Sequence, residues 1–198
     1  QLFVEPQPLA LPTRLELTSP IRMSRPEVAV ARSHINVWRQ VAAGKEDYVL
    51  ILEDDVWFQS DFSSHLEQAW GEIKTEGDGI SNFDILYVSY VEVKHGAPKT
   101  FLSDNVYRPV RGLWHLSGYV LSREGAKKLL RLLPCRGPVD LWINHQFDVL
   151  DVRATRRSII SQRRDASSTN SYSILPALTK IGAITSEGAS LFHVRPTE

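Results

Sequence analysis

Tyr48-Val49-Leu50-Ile51-Leu52-Glu53-Asp54-Asp55 is an apolar run that stops in three carboxylates. Val49 to Leu52 carries no polar alternation, which reads as a strand buried on both faces, as in a parallel sheet covered by helices. Three adjacent acids repel one another and are costly to bury unpaired. A hard cation such as Mg²⁺ or Mn²⁺ reverses that sign, because such ions take oxygen ligands. Successive side chains on an extended chain point to opposite faces. Glu53 and Asp55 are therefore expected to face one ion together, with Asp54 turned away. Open α/β sheets bind ligands at the carboxyl ends of their strands, which is where this triplet sits. The plainer alternative is a solvated turn ahead of a helix capped by Ser60 or Asp61.

Working back from this strand, Ser24-Arg25-Pro26-Glu27 starts a helix. Ser24 and Glu27 have capping-box spacing, and proline is tolerated in the first turn. Val30, His34, Val37 and Val41 recur at helical spacing with Trp38 beside them, and Gly44 is a C-terminal cap. His34 lies in the apolar stripe and reads from spacing alone as a core residue. Residues 1–23 are Pro-rich, and Thr13 to Leu17 is at most a short edge strand.

Working forward, Phe62, Leu66, Ala69, Trp70 and Ile73 mark an amphipathic helix over 61–75, broken at Gly77-Asp78-Gly79. Phe83 to Ser89 is the next apolar strand. Strand, helix and strand predict a βαβ unit and a parallel sheet. Residues 92–112 read as a loop or hairpin excursion of the kind that carries substrate contacts. Trp114 to Leu121 is a further strand. Ser122 caps a helix to Leu133, and Pro138-Val139-Asp140 opens a shorter one. Val149 to Ala154 and Ser158 to Ser161 are short strands. Arg153, Arg156, Arg157, Arg163 and Arg164 form a basic cluster, which suits a diphosphate or anionic glycolipid and equally a solvated face.

The 198 residues suit one domain or one domain with a tail. Lys plus Arg equals Asp plus Glu at 23 each, so no global charge favours nucleic acid. One cysteine, Cys135, excludes an intramolecular disulfide and a zinc finger. There is no apolar run of about 18 residues and no signal-peptide pattern. Any membrane association is expected from the surface, or through an anchor that lies outside this sequence.

Three stretches together resemble glycosyltransferase family 25, the lipooligosaccharide-biosynthesis and procollagen-galactosyltransferase group. They are Pro26 to Trp38 with its Ser33-His34, Tyr48 to Val56, and Gly118 to Leu130 followed by Pro138-Val139-Asp140. Ile160-Ser161-Gln162 is similar to a later family segment. The resemblance covers roughly 18–165. It implies a GT-A fold, an α/β Rossmann-like domain with a mostly parallel sheet and helices on both faces. The domain would occupy 1–165, with 166–198 a loosely packed extension.

The resemblance also implies transfer of galactose or glucose from a UDP-sugar to a hydroxyl of a glycan, lipooligosaccharide or protein. The transfer would be assisted by Mn²⁺ or Mg²⁺. It places Glu53 and Asp55 at the metal, Asp54 at the ribose or sugar and His34 in the donor pocket. Asp140 becomes the candidate base, with helix capping as its other role. Trp114 and Trp142 become candidate sugar-stacking surfaces, with core packing as theirs. His115 or His193 would complete the metal coordination. The implied setting is cytoplasmic at a membrane surface, or the ER/Golgi lumen in a eukaryote.

Two departures stand out. The family's opening strand, of the type Ile-x-Val-Ile-Asn-Leu before Asp-Arg-Arg, is not recognised in 1–23. The late Ser-Asp-Ile is changed, with Ser167-Ser168-Thr169 after Asp165. They keep open a catalytically degenerate binding or scaffold module; an unrelated Mg²⁺-dependent phosphoryl-transfer enzyme stays open because a strand-end acidic triplet would serve that chemistry too.

Overall fold

In the computed structural model the described residues are 3–4, 21–76, 82–92, 98–110 and 112–163. Two-residue strands β1 (Phe3–Val4) and β2 (Ile21–Arg22) pair antiparallel. Helix α1 (Arg25–Ala43) begins with the expected capping box, Glu27 N–H donating to Ser24 Oγ at 3.4 Å and Ser24 N–H to Glu27 Oε2 at 2.7 Å. Its buried stripe is Glu27, Ala31, His34, Trp38 and Val41, a four-three repeat that keeps one face inward. Val30 and Val37, expected in that stripe, flank it.

The principal sheet has six strands in the order β3-β8-β5-β9-β7-β6. They are β3 (Tyr48–Leu52), β5 (Ile85–Glu92), β6 (Lys99–Phe101), β7 (Val106–Pro109), β8 (Leu113–Ser122) and β9 (Val152–Thr155). A separate ribbon pairs β4 (Val56–Phe58) antiparallel with β10 (Ile160–Gln162). Between strands lie α2 (Phe62–Glu76), α3 (Arg123–Arg131) and α4 (Val139–Asn144).

The α/β class holds, but the sheet is mixed rather than mostly parallel. Only β5 and β9 pair parallel; β3–β8, β8–β5, β9–β7 and β7–β6 are antiparallel. The β3-α2-β5 crossover exists, and its two strands do run the same way. β8 has inserted between them, antiparallel to both. Strand periodicity carries no information about a third strand that enters later in the chain.

A second correction concerns β3. It is an edge strand of the described sheet, and Leu50 and Leu52 are 36% and 38% exposed. The expectation of burial on both faces fits β5 and β8 instead. There Ile85, Tyr87, Tyr119 and Leu121 join a core under α1, α3 and α4. Leu86, Val88 and Val120 join a second core with Ala69 and Ile73 of α2. Helices thus cover both faces, and the period of two on each strand divides its side chains between two cores.

The excursion after β5 resolves into the β6–β7 hairpin, which extends the sheet beyond β9. The expected edge strand at 13–17, the break at 77–79 and the 166–198 extension lie outside the described residues. So do Asp165, Ser167, Ser168, Thr169, His193 and Arg164.

Candidate active site

β3 delivers the acidic triplet to one end of the sheet. Glu53 N–H donates to Ser117 O of β8 at 2.9 Å, which fixes the first acid where the strand ends. The chain turns through Asp54 and Asp55 and returns as β4. Asp55 O accepts from Arg163 N–H at 2.7 Å, so the turn is held between β8 and the end of β10. Gly118 allows this closeness. It pairs with Leu52, and a Cβ there would come within 3.1 Å of Ile160 Cδ1 and 3.2 Å of Ser89 Cβ.

Asp54 is exposed, whereas Glu53 and Asp55 are half-buried on a common side. The Gln162 amide spans them, its Nε2 lying 3.2 Å from Glu53 Oε2 and 3.4 Å from Asp55 Oδ2. Asp55 Oδ1 is buried and has no hydrogen-bond partner among the described residues. Burial, then the charges of Glu53 and Asp54, push the Asp55 carboxyl above its usual range. A buried carboxylate oxygen with spare lone pairs, among like charges, fits a hard divalent cation. Among the described residues no three His, Cys, Asp or Glu side chains are grouped to hold an ion by themselves. Glu53 and Asp55 would supply two oxygens, leaving other positions to water and phosphate, as Mg²⁺ commonly requires.

Asp140 lies in the first turn of α4. Its Oδ1 accepts from Leu141 N–H at 2.9 Å and its Oδ2 from His115 N–H at 3.2 Å. Burial raises its pKa above the usual carboxylate range. His115 and the two N–H donors oppose that rise, and the charge of Glu53 adds to it. Asp140 therefore feels the acidic turn electrostatically. His115 has φ 70°, a left-handed conformation uncommon for a side-chain-bearing residue, inside a register break between β5 and β8. Such strain persists only where its surroundings enforce it.

Asp140 holds the His115 N–H itself, and Asn144, buried at the end of α4, holds the chain just before it. Asn144 Oδ1 accepts from Gly112 N–H at 2.8 Å and Leu113 N–H at 2.9 Å. Its Nδ2 donates to Leu113 O and to Asp140 O. Asn144→Ala strands several buried backbone groups, each costing about 1–3 kcal/mol. Urea unfolding should show a loss of at least about 2 kcal/mol on that scale. An unchanged midpoint would show that this stitch is dispensable.

The model of glycosyltransferase family 25 (LPS biosynthesis protein) matches residues 16–143, which include the acidic turn, the His34 helix and Asp140. The chain belongs to glycosyltransferase family 25. Its relatives include a probable inactive glycosyltransferase 25 family member 3 of Bos taurus, 32% identical over 135 residues. A glycosyltransferase 25 family member of Anopheles gambiae is 32% identical over 130 residues. An inactive glycosyltransferase 25 family member 3 of Homo sapiens is 30% identical over 135 residues. Each match takes in 64% of this chain and 21% of the relative, so the chain spans about a fifth of those proteins' length.

In this family 25 chain the remaining candidates are distributed unevenly. His34 is buried, with Nε2 3.4 Å from Glu53 Oε1, so it reaches the acidic turn from beneath. Trp142 is buried and stacks on Trp38 at 6.1 Å between ring centroids. Trp114 is also buried. The basic cluster is dispersed: Arg157 pairs with Asp61, Arg156 lies over the Phe101 ring, and buried Arg153 donates to Asn82 O.

Gln162, Tyr119 and Asn144 were not picked out as site residues from the sequence. Gln162 lies in the quoted Ile160-Ser161-Gln162 stretch. An amide in a short strand, however, carries no chemical signature until the fold brings it to the carboxylates. Among the described residues no helix is long and apolar enough to cross a membrane.

Proposed function

We propose that this chain forms the catalytic side of a metal-assisted hexosyltransferase that moves galactose or glucose from a UDP-sugar to an acceptor hydroxyl. The observation that carries this reading is the orphaned Asp55 Oδ1 beside Glu53 at a strand end. A bound Mn²⁺ or Mg²⁺ would supply neutralisation of the charge that builds on the departing diphosphate. Glu53 and Asp55 hold that position, with Gln162 spanning their outer oxygens. Exposed Asp54 is free to accept from the ribose or sugar hydroxyls. Asp140 takes the proton of the acceptor hydroxyl as its oxygen bonds to the anomeric carbon and the bond to the diphosphate breaks. The acceptor is a glycan, glycolipid or protein.

A second reading has specific support. The bovine and human relatives carry "inactive" in their names. A family 25 member that keeps the fold but has lost the donor site would act as a binding or scaffold module.

One titration separates the two. UDP-sugar binding is measured calorimetrically with and without Mn²⁺, for the wild type and Asp55→Ala. The transferase reading expects Mn²⁺-dependent binding, weakened in the variant by more than the ~10–100-fold typical of losing a ligand's outer partner. Wild-type protein that binds no UDP-sugar with Mn²⁺ present would sink the transferase reading. Lowering the pH through the raised Asp55 range should weaken Mn²⁺ binding, because the carboxyl must lose its proton to bind the ion.

A further inference from the structure

We infer that Trp38, Tyr119 and His34 form a hydrogen-bonded relay that fixes the carboxylate of Glu53, which makes His34 a positioning residue rather than a wall of the donor pocket. The inference rests on Glu53 being a cation-side carboxylate, as proposed above.

The relay begins in the core. Trp38 and Tyr119 are fully buried and His34 nearly so. Trp38 Nε1 donates to Tyr119 OH at 2.9 Å. Tyr119 OH lies 3.0 Å from His34 Nδ1, and His34 Nε2 lies 3.4 Å from Glu53 Oε1.

The hydrogen positions follow from which groups can only donate. The indole N–H is a donor without acceptor capacity, so the Tyr119 oxygen must accept from it. The single Tyr119 hydrogen is then left to donate to His34 Nδ1. With Nδ1 accepting, the neutral imidazole carries its hydrogen on Nε2 and donates it to the Glu53 carboxylate. The opposite tautomer fails twice. It would leave the buried Tyr119 hydrogen without an acceptor, and it would turn a bare Nε2 lone pair toward an anion. Either is costly in a buried setting.

The consequence reaches the site. Glu53 Oε1 is held by His34, and Oε2 faces Gln162 and the Asp55 side at 3.2 Å from the amide. The backbone of Glu53 is fixed by Ser117. Side chain and main chain are both constrained before any ion arrives, which is the preorganisation a metal ligand gains from outer partners. Packing alone does not call for this arrangement. Phenylalanine at 38 and 119 with leucine at 34 would make an apolar core here with no polar groups to satisfy. Stacking of Trp38 on Trp142 ties the inner end of the relay to α4, the helix that carries Asp140.

The test reads the relay first without metal. Nitrogen-15 histidine NMR at neutral pH should show His34 as the Nε2–H tautomer in the wild type. In Tyr119→Phe that signature should become mixed or shift to Nδ1–H. An Nδ1–H or doubly protonated His34 in the wild type overturns the relay.

The affinity for MnCl₂ alone, read by electron paramagnetic resonance, should then fall ~10–100-fold in Tyr119→Phe, the range for an outer partner of a metal ligand. Unchanged affinity in a variant with an altered tautomer overturns the positioning role. If Tyr119→Phe does not fold, His34→Gln is compared with His34→Leu. Glutamine can accept from Tyr119 and donate to Glu53, so it should keep Mn²⁺ affinity while leucine loses it. Equal affinities overturn the role. Should the wild type show the Nε2–H tautomer yet bind no Mn²⁺, the relay is supported and the cation reading of the acidic turn falls.

Discussion

Asp140→Asn is expected to lower the rate of sugar transfer by ~10²–10⁴-fold, the usual worth of a positioned general base, with UDP-sugar affinity nearly unchanged. The split follows from where the carboxylate sits. Asp140 is on α4, whereas the carboxylates that would hold the cation are on the turn after β3. Removing the first should therefore not dismantle the second.

The environment of Asp140 suits a base. Burial and the charge of Glu53 push its pKa upward, and His115 with the two backbone donors restrains the rise. A base must be ionised to act, so transfer should increase as pH rises through that raised range and fail below it. Asparagine is nearly isosteric but loses the basic oxygen and turns an NH₂ toward one of two N–H donors. That mismatch leaves one of the donors unpaired and costs about 1–3 kcal/mol. A thermal melt would reveal it as a shift of a few degrees. The competing role, capping α4 through Leu141 N–H, would produce the same shift with transfer intact. Initial-rate assays of the two proteins at matched folded fraction decide between them. Undiminished transfer would make Asp140 a cap and nothing more.

The sequence was most legible where the signal is local. The capping box at Ser24 and Glu27 and the Ser122 cap on Gly125 N–H are formed as their spacing requires. The strand read at Val49 to Leu52 also forms, ending at Leu52 ahead of the acids. Local signals end where strands choose partners. Val49 to Leu52 looks equally apolar whether it lies inside a sheet or at its edge, and only the pairing with β8 alone separates the cases. The acidic triplet could be located from the strand that ends in it. The partners that give it a chemical setting come from distant positions: Gln162, Ser117 and, through His34, Tyr119. Each is an ordinary residue in its own stretch and becomes informative only through a contact across the fold. His34 shows the limit from the other side. Its apolar stripe indicated a core residue and its family resemblance a functional one. The structure makes it buried and in reach of Glu53 at once.

Gly125→Ala tests the packing that holds this arrangement together, and it should be strongly destabilising although alanine is the better helix former. Gly125 is in the first turn of α3, where its N–H donates to Ser122 Oγ at 2.9 Å. A Cβ added there would lie 2.5 Å from Asp84 O and 2.9 Å from Asp84 C and Cα. These are backbone atoms, so no side chain can swing away.

Asp84 cannot yield easily either. Its N–H donates to Asp151 O at 2.8 Å and its carbonyl accepts from Ser122 N–H at 3.0 Å. Its buried carboxylate accepts from Lys128 Nζ at 2.6 Å and Asp151 N–H at 2.8 Å. The helix must therefore lift, drawing Ala126 and Leu129 from the core. Overpacking of this kind costs about 1–3 kcal/mol and occasionally more. The gain in helix propensity, up to about 1 kcal/mol, offsets only part of it. At roughly 2–4 °C per kcal/mol for a chain of this size, Tm should fall by several degrees.

Gly71→Ala supplies the contrast. It lies in α2 with nothing within 4 Å of the added Cβ, so propensity acts alone and Tm should rise slightly. Melts of the two variants beside the wild type give opposite signs if close approach of α3 to Asp84 is what requires glycine. Two shifts of the same sign would remove that explanation.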